Sequence, residues 1–134
     1  MPKKILVVDD EQQILRLIRV NLERAGFEVV TAHGGKEALE KVEQERPDLV
    51  VIDVMMPYMD GFEMMQNLRK NPTTDELPVL MMLARQADVA LTYVYPIQQN
   101  DDDCYLYYIR KPFNPMQLIL FVQHIFSDQD RAEE

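Results

Sequence analysis

Hydrophobic residues fall along the chain in two alternating patterns. Ile5 to Val8 is an unbroken β-branched and aliphatic run, the mark of a strand buried on both faces of a parallel sheet, and it stops abruptly at Asp9-Asp10. Leu49 to Ile52 repeats this pattern, closed by Asp53, after which Met56-Pro57 forces a loop. Pro78 to Met82 is a further apolar strand, Glu28 to Thr31 a short one, and Tyr107 to Arg110 a fifth that ends at Lys111-Pro112. Between them the period lengthens. Ile14, Ile18 and Leu22 recur at helical spacing, with Asp10 as a candidate N-cap, Gln13 at the capping-box position and Gly26 as the stop. Lys36 to Arg46 reads as a helix burying Ala38, Leu39 and Val42, and Asp60 to Lys70 as one turning Phe62, Met65 and Leu68 inward.

Asn114 caps a C-terminal helix from Pro115 to Phe126, with Leu118, Ile119, Val122, Ile125 and Phe126 on its core face and Met116 and Leu120 pointing away. Those last two are candidates for a partner or homodimer surface. The segment from Arg85 to Asp103 should hold a helix by its place in the alternation. Its residues argue against a regular one, since Thr92 to Tyr95 favour strand and Pro96 breaks a helix, so an irregular or shortened fourth helix is expected.

Strands alternating with helices predict an α/β fold, a doubly wound five-stranded parallel sheet with helices on both faces. At 134 residues the chain is one domain, expected over residues 1–126 with a polar, frayed tail at 127–134. Charge narrows the partners: 14 Lys and Arg against 23 Asp and Glu leave −9, which repels phosphate backbones and anionic lipids and argues against direct nucleic-acid or membrane binding. Cys104 is the single cysteine, so neither an intrachain disulfide nor a thiolate zinc site can form. The first apolar run is far too short for a signal peptide, and a cytoplasmic location is expected.

Ligands of such sheets bind beyond the strand C-termini, where Asp9, Asp10, Asp53 and Lys111 converge. Helix capping would account for Asp9-Asp10 taken alone. Three carboxylates at neighbouring strand ends repel one another unless a cation compensates, and oxygen ligands with room for water suit Mg²⁺. Lys111 adds a positive charge opposite them, so the site suits a metal and a tetrahedral anion together. That arrangement suits phosphoryl transfer, with Asp53, alone at the end of a central strand, the best nucleophile by position, which would become an aspartyl phosphate.

The stretches ILVVDDE (Ile5 to Glu11), PDLVVIDVMMPYMDGFE (Pro47 to Glu63), LPVLM (Leu77 to Met81) and RKPF (Arg110 to Phe113) together resemble a response-regulator receiver domain of two-component signalling over about residues 3–126. The resemblance implies a flavodoxin-like receiver fold with strand order 2-1-3-4-5. It implies that Asp53 is the phosphoacceptor, that Asp10 and Asp53 ligate Mg²⁺ with the backbone carbonyl of Met55, and that Asp9 helps through water. It further implies that Lys111 contacts the phosphoryl group, that Tyr108 occupies the aromatic switch position, and that the phosphoryl group comes from a histidine kinase or phosphotransfer protein. Such a protein assists its own phosphorylation and dephosphorylation but is a switch rather than an enzyme, signalling to a downstream protein partner.

Two departures from the family pattern matter. Leu83 stands where a Thr or Ser is expected five positions after the strand-four proline, and Asp101 to Tyr107 replaces the usual Gly-Ala-Asp segment. They keep open a rival reading, a protein-interaction module of the same fold uncoupled from phosphorylation. A metal-dependent phosphatase using Asp53 is a weaker alternative, because Met55 stands where that pattern wants a second acid.

Overall fold

The computed structural model describes residues 2–83, 97–99, 105–111 and 113–132. Five parallel strands form the sheet: β1 (Lys4–Val8), β2 (Glu28–Ala32), β3 (Leu49–Asp53), β4 (Val79–Leu83) and β6 (Leu106–Arg110), ordered β2-β1-β3-β4-β6. This is the expected 2-1-3-4-5 arrangement. A sixth strand, β5 (Ile97–Gln99), is added outside β6 and runs antiparallel to it, Ile97 opposite Ile109 and Gln99 opposite Tyr107. It lies in the segment expected to be helical. With Pro96 directly before it, continuing a helix into Ile97 would cost several kcal/mol, whereas pairing with β6 satisfies backbone groups that an open edge leaves to water. The expected irregular fourth helix, including Thr92 to Tyr95, falls outside the described residues.

Four helices are described: α1 (Gln12–Arg24), α2 (Gly35–Glu45), α3 (Gly61–Lys70) and α4 (Pro115–Ala132). Strand residues alternate between two cores because successive side chains leave opposite faces of the pleat. Leu6, Val8, Val50, Ile52, Met81 and Leu83 pack beneath α2 and α3 with Ala38, Val42, Met64 and Leu68. Ile5, Val7, Leu49, Val51, Leu80 and Met82 face the other way, against Leu15, Ile18 and Leu22 of α1 and Leu118, Val122 and Ile125 of α4. Burial on both faces is why these strands read as continuous apolar runs.

Several local expectations shift. The N-cap of α1 is Glu11 rather than Asp10, with no side-chain cap bond. In α3 the fully buried methionine is Met64, while Phe62 and Met65 are only partly buried against the same core. At the start of α4, Asn114 and Gln117 cap reciprocally: Gln117 N–H donates to Asn114 Oδ1 at 2.8 Å and Asn114 N–H donates to Gln117 Oε1 at 2.9 Å. Met116 and Leu120 do point outward, 61% and 54% exposed. The helix does not end at Phe126 but continues to Ala132, where its extra turns are tied to the sheet. The hydroxyl of Tyr107 donates to Asp128 Oδ2 at 2.5 Å and accepts from Gln129 Nε2 at 2.7 Å. Among the described residues no helix is long and apolar enough to cross a membrane.

Candidate functional site

Parallel strands place their C-terminal ends at one edge of the sheet, and β1, β3 and β6 deliver the polar groups there. Asp9, Asp10 and Asp53 can each bring one carboxylate oxygen within 4.8 Å of the others. The three differ in exposure. Asp9 is fully buried at 0%, Asp53 is 4% exposed, and Asp10 is open to solvent.

The backbone holds the two buried acids. Glu11 N–H donates to Asp9 Oδ1 at 2.9 Å, and Met55 N–H donates to Asp53 Oδ1 at 3.1 Å. The chain after Asp53 folds back tightly, with Gly61 N–H donating to Val54 O at 3.1 Å. A side chain at Gly61 would put its Cβ 2.9 Å from Asp53 O and 2.9 Å from Val54 Cα, so only glycine allows α3 to start there.

Lys111 arrives from the end of β6, where its N–H donates to Leu83 O at 2.8 Å. Its Nζ stands 3.5 Å from Asp53 Oδ2 and 3.7 Å from Asp9 Oδ2. This does not fully compensate the acids. Burial pushes the Asp9 carboxyl up from 3.8 to about 6, with Asp53 and Asp10 adding repulsion and the Glu11 N–H and Lys111 opposing. Burial also raises Asp53, against the lowering effects of Lys111 and the Met55 N–H. Asp9 Oδ2 is buried with no hydrogen-bond partner among the described residues.

An orphaned carboxylate oxygen beside two further acids is the donor set of a hard cation, so these residues fit Mg²⁺. Of the residues expected at the switch, Leu83 ends β4 beside Lys111, whose N–H its carbonyl accepts. Leu83 and Tyr108 are both buried, in the core beneath α2 and α3, on adjacent strands. His33 and His124 are surface residues, His33 bonding Gln12 and approaching Glu37. The positive-φ turn at Tyr58, φ 69°, and the packing of Met59 on Gly35 have no signal in the sequence pattern.

A family model, the response regulator receiver domain, matches residues 5–123. Among curated proteins the chain is 45% identical over 132 residues to the alkaline phosphatase synthesis transcriptional regulatory protein PhoP of Bacillus subtilis, covering 98% of this chain and 52% of PhoP. It is 39% identical over 123 residues to the regulatory protein VanRc of Enterococcus gallinarum, covering 92% of this chain and 49% of VanRc. The chain thus spans about half the length of the curated relatives it matches. Among solved structures it resembles a response regulator from Chloroflexus aurantiacus, with TM-score 0.79, 30% identity and coverage of 95% and 99% of the two chains. It also resembles the chemotaxis protein CheY4 of Vibrio cholerae, with TM-score 0.75, 31% identity and coverage of 93% and 99%. With its sheet order, acidic edge and lysine in the arrangement that the motifs imply, the chain belongs to the response regulator receiver domain family, the signalling switch of two-component systems.

Proposed function

We propose that Asp53 is the phosphoacceptor, receiving a phosphoryl group from the phosphohistidine of a histidine kinase or phosphotransfer protein. The observation that carries this is the contrast between the two buried acids. Asp53 keeps a small exposed surface and lies 3.5 Å from Lys111, whereas Asp9 is sealed from solvent. A carboxylate oxygen of Asp53 attacks phosphorus in line, the P–N bond breaks, and the imidazole leaves with the electron pair and takes up a proton. Lys111 contacts the transferred phosphoryl oxygens as a point charge. Hydrolysis of the acyl phosphate by water resets the switch, and the chain's part in both steps is to position the acceptor.

Asp10, Asp53 and the backbone carbonyl of Met55 would hold Mg²⁺, with Asp9 acting through water. When bound, Mg²⁺ neutralises the carboxylates and the phosphoryl oxygens, without which the acidic edge repels a phosphodonor. Leu83 and Tyr108 occupy the switch positions. The output is a changed binding surface read by a downstream protein. The net charge of −9 supports a protein rather than a nucleic acid or a membrane as the direct partner, in the cytoplasm, and exposed Met116 and Leu120 support a contact or homodimer through α4. The receiver covers residues 1–126, and α4 carries on from it to Ala132 within the polar segment 127–134.

Intact-mass measurement after incubation with Mg²⁺ and acetyl phosphate tests the reading. One added phosphate is expected, lost in Asp53→Ala and on chelation. Labelling of Asp53→Ala at the parent rate overturns it.

A further inference from the structure

The loop joining β3 to α3 carries Met55 near Asp53, and besides Met56, which is buried in the core, it is pinned at two further points. One is at its base, where Gly61 N–H closes on Val54 O at 3.1 Å and a Cβ on Gly61 would strike the Asp53 and Val54 backbone. The other is its far end. There Met59 N–H donates to Pro57 O at 2.8 Å, a γ-turn centred on Tyr58 at φ 69°, a conformation that a non-glycine residue holds only when its surroundings impose it. Tyr58 does not supply that restraint, since its side chain is entirely exposed.

Met59 supplies it. Its side chain runs over Gly35 in the first turn of α2 so closely that a Cβ on Gly35 would sit 2.7 Å from Met59 Sδ, 2.8 Å from Cγ and 2.9 Å from Cβ. Asn67 Nδ2 of α3 meets the same sulfur at 4.0 Å. Gly35 is itself buried, with no positive φ, so its glycine is needed for space and not for conformation. The thioether thus fills a seat formed by α2 and α3 and fastens the strained turn to two elements that carry no acid of the site.

We infer that Met59, seated on Gly35, is a positioning residue for the phosphoacceptor site: it holds the turn at Tyr58 and thereby the backbone of Met55 against Asp53. The inference rests on the proposed roles of Asp53 and Met55. Met59 acts through the Met55 N–H, which bonds Asp53 Oδ1, and through the Met55 carbonyl, which would face the metal. Gly35→Ala must push the loop away, because the nearest atoms include Met59 Cβ and not only the far end of a flexible side chain. Met59→Ala empties the seat instead. Both release the same restraint.

The test is Mg²⁺ affinity of the whole chain by calorimetric titration, which suits a protein without tryptophan, together with hydrogen exchange at the Met55 amide. Groups that orient metal ligands typically change affinity 10- to 100-fold when lost, so Met59→Ala and Gly35→Ala are each expected to weaken Mg²⁺ by about tenfold and to speed Met55 exchange. The two losses should not add in the double variant. Met59→Leu, close in volume, should restore both readouts. Leu68→Ala, a cavity in the same core, should lower the melting temperature and leave Mg²⁺ affinity unchanged. Parent-like Mg²⁺ binding in Met59→Ala, or an equal loss in Leu68→Ala, overturns the inference; should Gly35→Ala not fold, Met59→Ala and its Leu rescue decide alone. A parent protein that binds no Mg²⁺ and gains no phosphate overturns the functional reading instead.

Discussion

Lys111 Nζ lies 3.5 Å from Asp53 Oδ2 although the two residues are 58 positions apart, because the Lys111 N–H is tied to Leu83 O where β6 meets β4. The same ammonium faces the buried Asp9 at 3.7 Å. Removing it leaves two poorly solvated carboxyls facing each other. Lys111→Gln should therefore cost about 1–3 kcal/mol at pH 7 by urea denaturation without metal. The cost should shrink toward pH 4, where both carboxyls take up protons and no longer need the cation. An equal loss at both pH values would count against the ion pair as its source.

The metal-free protein should become less stable as pH rises from about 4 through 6. The Asp9 carboxyl is held near 6 in the fold against 3.8 for a freely solvated aspartate, so in that window the folded chain binds more protons than the unfolded one. Its stabilising effect is complete below 3.8 and is lost as pH passes 6; Asp53, raised by the same burial, acts in the same direction. Asp9→Asn should flatten the profile and raise the melting temperature at pH 7 in chelator. Calorimetric melts between about pH 4 and 7.5 test this, and Mg²⁺ should restore the parent at the high end.

Exposure ranks the two N-terminal acids as metal ligands. Asp10 is open to solvent and can meet an incoming ion directly, whereas Asp9 has no exposed surface. Asp10→Ala is expected to weaken Mg²⁺ more than Asp9→Ala. Equal losses in a titration would reject the ranking.

Leu83 brings no hydroxyl to the end of β4 and is fully buried in the core that also holds Tyr108. A ligand shifts a conformational equilibrium only by its differential interaction with the two states, and a charge-assisted hydrogen bond contributes about 1.5–3 kcal/mol. The parent should thus respond weakly to beryllofluoride at Tyr108, and Leu83→Thr should enlarge the response about tenfold in population at a cost of about 1–3 kcal/mol in stability. Amide shifts of Tyr108 in both proteins, with and without beryllofluoride, decide it. Unchanged shifts in Leu83→Thr would mean that the missing hydroxyl does not limit the switch.

Tyr107 holds the last turns of α4 through Asp128 and Gln129. Tyr107→Phe keeps the ring in the core and removes the hydroxyl alone. Hydrogen exchange from Ser127 to Asp130 should accelerate, with a global loss of about 1 kcal/mol. Protection that persists there would show that the helix end is held by other contacts.

The residues also divide according to what their neighbours in sequence could reveal. Continuous aliphatic runs each closed by an acid, at Val8-Asp9 and Ile52-Asp53, are enough to place buried parallel strands and the acids at their ends. A parallel sheet covered on both faces favours apolar residues until the strand ends. Helical periodicity likewise marks Leu118, Val122 and Ile125 as inward and Met116 and Leu120 as outward, because 3.6 residues per turn is a local property. Contacts between segments are a different matter. That Ile97–Gln99 pairs antiparallel with β6, that Tyr107 reaches Asp128 and so lengthens α4, and that Met64 rather than Met65 is fully buried all depend on distances closed only when the layers pack. The depth of Asp9 against the openness of Asp10 is of the same kind, since adjacent residues of one type are told apart only by what covers them. Local periodicity set where each acid leaves its strand, and tertiary packing alone decided which of them lost its water and which methionine came to rest on Gly35.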